Sequence, residues 1–126
     1  MMSTDDASSR KVRPTFREAV RSDVPAIVAL LTDDPMGAGR ELSVDADRYG
    51  QAFDAITRDP NQLLSVACIG DVVVGTMQLT FIPGMSRGGA TRGQIEAVRV
   101  ASSHRGEGVG EALFAWAIEL CRERGC

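Results

Sequence analysis

The residues of this chain best suited to chemistry form a glycine-rich stretch near its end, Arg105-Gly106-Glu107-Gly108-Val109-Gly110. Small residues in succession let backbone N–H groups converge, because no Cβ atoms stand in the way. An amphipathic helix follows, and the first amides of a helix, together with its dipole, attract anions. Arg99 and Arg105 could add charge-assisted contacts to phosphate oxygens. The stretch therefore predicts a cradle for a pyrophosphate group, with a plain glycine-rich turn as the alternative.

Two commoner phosphate-binding motifs do not fit this stretch. A P-loop needs a lysine directly after its second glycine, whereas Lys11 is the only lysine of the chain. A dinucleotide-binding fingerprint needs Gly-x-Gly-x-x-Gly after a first parallel strand. Here Gly106, Gly108 and Gly110 alternate with single residues near the end of the chain, so neither motif is present.

Seven elements are predicted to position the turn, in the order β-α-α-β-β-β-α. This order is typical of the α/β (α+β) class, with a mostly antiparallel central sheet flanked by helices. A mobile polar loop is expected from Pro83 to Gly93. The predicted elements are a strand from Thr15 to Val20, a helix capped at Ser22-Asp23, a helix from Asp45 or Asp47 to Asp59, a hairpin of Leu63 to Ile69 and Val72 to Ile82, a strand from Gln94 to Val100, and a helix from Gly108 to Arg124 with Gly125 as its cap.

The composition excludes several classes of protein. A net charge of −3 over 126 residues provides no basic field for nucleic acid or an anionic membrane, and no run approaches the roughly 20 apolar residues of a membrane span. Cys68, Cys121 and Cys126 lack a metal-site spacing and His104 is the only histidine, so no metal is expected. We expect a cytoplasmic protein with a disordered polar tail at 1–13 and one domain at 14–126.

Strand, turn and helix together resemble motif A of the GNAT superfamily of N-acetyltransferases. The matching segments are Ile95 to Val100 and Arg105 to Leu113, and the order of the preceding elements is also similar to that family. The resemblance implies a GNAT-like acyl-CoA N-acyltransferase fold. It also implies transfer of the acetyl group of acetyl-CoA to a primary amine of a small molecule or peptide, without identifying the acceptor.

The resemblance further implies roles for individual residues. Backbone groups of Val98, Arg99 and Val100 would bind the pantetheine arm, and the N–H of Val98 would polarise the thioester carbonyl. Glu96 is the candidate general base, with a solvated strand carboxylate as the equal alternative. In a regular strand it would share a side with Val98 and Val100, whereas a bulge, which members of the family often carry here, would change that side. His104, beside the cradle, is a weaker candidate. The backbone amides that would hold the pyrophosphate are those of Arg105, Gly106, Glu107, Gly108, Val109 and Gly110, with Glu111 beginning the helix.

Related enzymes usually continue into a fifth strand, which forms half of the cofactor slot, and into a segment whose tyrosine acts as general acid. No tyrosine follows Tyr49 here, so the general acid has no candidate. Truncation is favoured over a longer natural protein or a swapped homodimer, and weak activity is expected of these 126 residues alone. The competing functions are a non-catalytic acyl-CoA-binding sensor or partner subunit, and a structural domain whose turn binds nothing.

Overall fold

The structure is a computed structural model that describes residues 13–33 and 46–126. Its elements confirm the predicted order, and single 3-10 turns at Arg21–Asp23 and Ser102–His104 lie between some of them. A turn with left-handed backbone at Arg87 and Gly88 connects two of the strands. The predicted tail at 1–13 falls outside the described residues except for its last position. The elements are β1 (Thr15–Glu18), α1 (Val24–Thr32), α2 (Ala46–Arg58), β2 (Gln62–Ile69), β3 (Val72–Pro83), β4 (Thr91–Val100) and α3 (Val109–Glu123).

The four strands form one antiparallel sheet in the order β1-β2-β3-β4. The predicted hairpin is confirmed, and Gly70 in its turn has a φ of +61°. Glycine adopts this left-handed conformation without a steric cost. β4 pairs with β3 alone, so its other edge meets no strand of the described sheet. Backbone groups along that edge are therefore available to a ligand.

α3 covers one face of the sheet. Val109, Leu113 and Ala117 recur every four residues and are buried, as the apolar periodicity predicts. Leu113 is 0% exposed, so its truncation to alanine would cost about 2–5 kcal/mol. The rest of this core comes from the sheet: Ala67, Val74, Met77, Leu79 and Phe81. The packing places the first turn of α3 directly beside the end of β4.

α1 and α2 cover the opposite face, where Ile27 and Phe53 are buried against β2. Asp23 precedes α1 as predicted, but its carboxylate does not cap the helix. It accepts hydrogen bonds of 2.7 and 2.9 Å from the Arg17 guanidinium and one of 2.8 Å from the Val20 N–H. A buried carboxylate requires such partners. These bonds attach β1 to the start of α1.

A β-bulge interrupts β4 beside the glycine turn. Gln78 of β3 lies opposite Glu96 and Thr76 lies opposite Arg99, so one β3 residue faces two residues of β4. Ala97 within the bulge has a φ of +54°, an uncommon value for a residue other than glycine. Cross-strand partners share a face, so Glu96 lies on the α1/α2 side of the sheet. The expected placement of Glu96 on the same side as Val98 required a regular strand, and the bulge puts the two residues on opposite sides.

The predicted loop from Pro83 to Gly93 is shorter than expected. β3 extends to Pro83 and β4 begins at Thr91, leaving 84–90 as the connection. Gly93 lies in β4, where it pairs with Phe81, and a Cβ atom added to it would clash with the Sγ atom of Cys121 on α3. A glycine that the sequence assigns to a loop is thus required by packing. Among the described residues, no helix has the length and apolar character needed to cross a bilayer.

Candidate functional site

The connection from β4 to α3 is built around two glycines with left-handed backbone. Gly106 has a φ of +82°, and Gly108, which precedes α3, has a φ of +87°. A Cβ atom at either position would meet nothing within 4 Å. Glycine is therefore required here by the backbone conformation and not by crowding. The glycine spacing in the sequence thus has a direct geometric reason.

The start of α3 presents unpaired amides to a concave surface. Within the described residues, the N–H groups of Val109, Gly110 and Glu111 donate no hydrogen bond, whereas that of Ala112 bonds to the Gly108 carbonyl at 3.0 Å. The helix has 15 residues, so its dipole adds to the attraction for an anion at this end. The concavity has a volume of about 310 Å³. Its walls are formed by Val100, His104, Arg105, Gly106, Gly108, Val109, Gly110 and Glu111.

Side-chain hydrogen bonds brace this turn from three directions. Nδ1 of His104 lies 2.8 Å from Oε1 of Glu107. Nε of Arg105 donates to the Val100 carbonyl at 3.2 Å, and its guanidinium pairs with Asp33 at 3.5 Å. The same Asp33 carboxylate accepts the Ser102 N–H at 3.0 Å. The Arg105 side chain thus helps to hold the turn in shape, and its contact with phosphate oxygens stays a prediction.

The edge of β4 leads directly into the cradle. Val98 and Val100 direct their side chains into the core beneath α3. The Val98 carbonyl accepts a 3.0 Å hydrogen bond from the Arg99 guanidinium, and the Val100 carbonyl accepts the bond from Arg105. Both carbonyls can accept bonds outside the β3 ladder because β4 is the edge of the described sheet. The three residues predicted to bind the pantetheine arm therefore adjoin the predicted phosphate cradle.

Glu96 lies on the other face of the same strand. Its side chain is exposed, and Oε1 accepts a 3.2 Å hydrogen bond from Nε2 of Gln94. Its neighbour Ala97 and its cross-strand partner Gln78 both line an apolar cavity of about 230 Å³. This cavity lies between α1, α2 and the sheet. The bulge thus places Glu96 beside two residues that line this cavity, whereas Val98 packs against the core beneath α3 on the opposite face.

The remaining predicted residues have structural contacts of their own. His104 is half-buried in the wall of the cradle and bonded to Glu107. Tyr49, predicted to pack in the core, lines the cavity under α2. Among the described residues, no group of three or more His, Cys, Asp or Glu side chains is placed to hold a metal ion.

Sequence reasoning missed Asp33 and the cavity. The contact of Asp33 with Ser102 joins residues 69 positions apart, and no local sequence pattern predicts it. Helical spacing did predict the apolar faces of α1 and α2. It does not predict that these faces leave a gap above the sheet.

Comparison with known proteins agrees with this architecture. A model of the Acetyltransferase (GNAT) family matches residues 23–126. A glucosamine 6-phosphate N-acetyltransferase of Trypanosoma brucei brucei is 43% identical over 99 residues, which make up 76% of this chain and 61% of that protein. The chain thus spans about three fifths of the length of this curated relative.

Solved structures show the same fold. The crystal structure of a transcriptional regulator from Bacillus halodurans C-125 is 42% identical and matches with a TM-score of 0.85 over 90% of this chain and 77% of that one. The crystal structure of a Trypanosoma brucei acetyltransferase is 28% identical, with a TM-score of 0.74 over 90% of this chain and 78% of that one. The family match over most of the sequence, on this fold, shows that the chain belongs to the GNAT family of acetyltransferases, whose members use acetyl-CoA as cosubstrate.

Proposed function

We propose that this protein transfers the acetyl group of acetyl-CoA to a primary amine of a small molecule or peptide. The observation that carries the proposal is the run of unpaired amides at the start of α3, held by Gly106 and Gly108, beside the bulged edge of β4. Acetyl-CoA combines a pyrophosphate with a long amide-containing arm. The unpaired amides of the cradle can bind the pyrophosphate, and the backbone groups at the edge of β4 can hydrogen-bond to the arm.

The proposed chemistry divides between the two faces of β4. Acetyl-CoA supplies the acetyl group as a thioester. The amides of Gly106 through Glu111 would hold its pyrophosphate, and backbone groups of Val98, Arg99 and Val100 would align its arm. The Arg105 N–H, which the sequence also assigned to the pyrophosphate, donates to the Ser102 carbonyl at 3.4 Å. The Val98 N–H would donate to the thioester carbonyl oxygen, where negative charge develops.

The acceptor amine must lose a proton before it attacks. Glu96 is the carboxylate of β4 nearest the bulge, and it can accept that proton directly or through a water molecule. The amine nitrogen then bonds to the acetyl carbon as the carbon–sulfur bond breaks, and the proton that the nitrogen loses on becoming an amide passes to the departing sulfur, directly or through water. The position of Glu96 opposite Gln78 supports its role as the base, because Gln78 lines the apolar cavity between α1, α2 and the sheet. No described residue is assigned to protonate the sulfur.

Two measurements test the proposal. Acetyl-CoA should raise the melting temperature of the purified chain, because a ligand that binds only the folded state stabilises it. Glu96→Gln should keep this stabilisation and lower the rate of acetyl transfer by about 100-fold or more. Glu119→Gln, an exposed carboxylate on α3, is the matched control and should leave both unchanged. Equal turnover by the Glu96 and Glu119 variants would remove Glu96 from the mechanism.

A second candidate function is an acyl-CoA sensor or partner subunit without turnover. The observation that favours it is the 42% identity to a protein described as a transcriptional regulator. Thermal stabilisation by acetyl-CoA, with no product from any amine, would support the sensor. Acetylation of any amine at a rate above the uncatalysed reaction would support the transferase. Glucosamine 6-phosphate belongs in that screen because the trypanosomal relative carries its name.

A further inference from the structure

The cavity on the α1/α2 side of the sheet is lined almost wholly by apolar side chains. α1 and α2 contribute four residues each, among them Ile27 and Phe53, and the sheet contributes Leu64, Thr76, Gln78 and Ala97. The cavity ends at the β4 bulge, one residue from Glu96. A ligand seated in it would therefore reach the proposed general base from the face opposite the α3 core.

The polar groups in the sheet wall of this cavity are already satisfied. The Thr76 hydroxyl donates to the Ser65 carbonyl at 2.9 Å, and Nε2 of Gln78 donates to Oε1 of Gln62 at 2.8 Å. No Lys, Arg or His side chain of the described residues lines the cavity. Phosphate recognition in proteins relies on cationic side chains or helix N-termini. The described lining residues therefore include no cationic side chain for the phosphate of a phosphorylated amino sugar.

The size of the cavity limits its occupant. A dry apolar cavity of about 150 Å³ holds a benzene molecule, and pockets for drug-sized ligands begin near 300 Å³. The volume here, about 230 Å³, lies between these values. A single aromatic ring with a short linker fits this range, and removing such a group from water favours its binding.

We propose that this cavity binds the apolar part of the acceptor, so that the preferred substrate is a primary amine carrying one ring. The inference rests on the proposed acetyl transfer and names its substrate class. In this arrangement the ring lies between α1 and α2, and the amine emerges at the bulge beside Glu96. The ring supplies the affinity, and the bulge sets the distance from the amine to the cradle face of β4.

The test compares two acceptors and two tryptophan variants. Phenethylamine and glucosamine 6-phosphate are assayed with acetyl-CoA, and phenethylamine binding is also measured without acetyl-CoA by ligand-observed NMR. Ala52 and Ala55 are both exposed on α2, but only Ala52 lines the cavity, so Ala52→Trp adds a bulky ring at the cavity wall and Ala55→Trp adds one outside it. We expect Ala52→Trp to lower kcat/KM for phenethylamine by about 10-fold or more. Ala55→Trp should match the wild type, and both variants should keep the stabilisation by acetyl-CoA.

The outcomes separate this inference from the proposed function. Faster acetylation of glucosamine 6-phosphate than of phenethylamine, or equal effects of the two tryptophan variants, would overturn the inference and leave acetyl transfer standing. Phenethylamine binding that Ala52→Trp abolishes, without acetylation of any amine, would overturn the proposed transferase and with it the acceptor role. Preferred acetylation of phenethylamine, lost only in Ala52→Trp, would support both.

Discussion

Replacing Gly108 with alanine should damage the cradle, whereas the same replacement at Gly110 should not. Gly108 has a φ of +87°, and a residue with a Cβ atom pays about 1–2 kcal/mol in this region. Gly110 lies in the first turn of α3, and an added Cβ atom would meet only the Val100 side chain at 3.8 Å, an ordinary contact. Alanine there gains up to about 1 kcal/mol in helix propensity. The free energies of unfolding of the two variants should therefore differ by about 2 kcal/mol.

Comparing Gly108→Ala with Gly110→Ala is informative because the effect of losing a glycine on the unfolded state is common to both variants and cancels in the comparison. Each variant removes one glycine, so the loss of chain entropy in the unfolded state is the same. Urea denaturation measures the difference in stability. The shift in melting temperature that acetyl-CoA causes measures how well the cradle binds the coenzyme. Gly108→Ala should lose much of that shift, because its strain is relieved by turning the amides of the cradle. Equal stabilities, or a greater loss of acetyl-CoA binding in Gly110→Ala, would refute the reasoning.

Three further predictions concern the rest of the fold. Hydrogen bonds from Arg17 lower the pKa of Asp23, so its ionised form stabilises the fold above about pH 3.8 and less as the pH falls. Asp23→Asn should therefore lower the free energy of unfolding, measured by urea denaturation near neutral pH, by about 2 kcal/mol. A difference between wild type and variant that does not shrink in acid would contradict this. Burial, aided by a hydrogen bond with Cys126, raises the pKa of Cys121 to about 11 from 9.0. Because only the thiolate reacts, iodoacetamide should label Cys121 near pH 8 about 100-fold more slowly in the folded protein than in the urea-unfolded protein. Gly75→Ala would bring a Cβ atom within 3.2–3.3 Å of three side chains of the α3 core, and its denaturation midpoint should show a loss of about 1–3 kcal/mol.

The sequence predicts the elements of this fold better than their irregularities. Val109, Leu113 and Ala117 show a helical period, and this local pattern survives unchanged in the structure. The bulge gives no comparable signal, because Ala97 is not a residue type that marks left-handed backbone. Its position depends on how β3 and β4 align, which is a property of two segments. The face on which Glu96 lies could therefore not be read from strand alternation.

In the candidate site, too, the local features could be predicted from the sequence and the long-range contacts could not. The glycines of the cradle were identifiable because their conformation is local and chemically distinctive. The Asp33 contacts that brace the cradle join the end of α1 to the start of the β4–α3 connection. Such a bridge depends on the completed fold. The contact of Arg105 with Asp33 could not be predicted for this reason, since the two side chains meet only after the sheet has brought them together.

The single extra residue in β4 also constrains how this protein can change over evolutionary time. Deleting one codon at position 97 would straighten the strand and exchange the faces of the residues on one side of it. A substitution at Ala97 leaves the register intact, and glycine would even relieve the positive φ. We therefore expect homologues to vary in residue type at this position while keeping its number of residues. Under the proposed function, the two faces of β4 can then diversify separately, one adapting to new acceptors while the other keeps its contacts to the coenzyme.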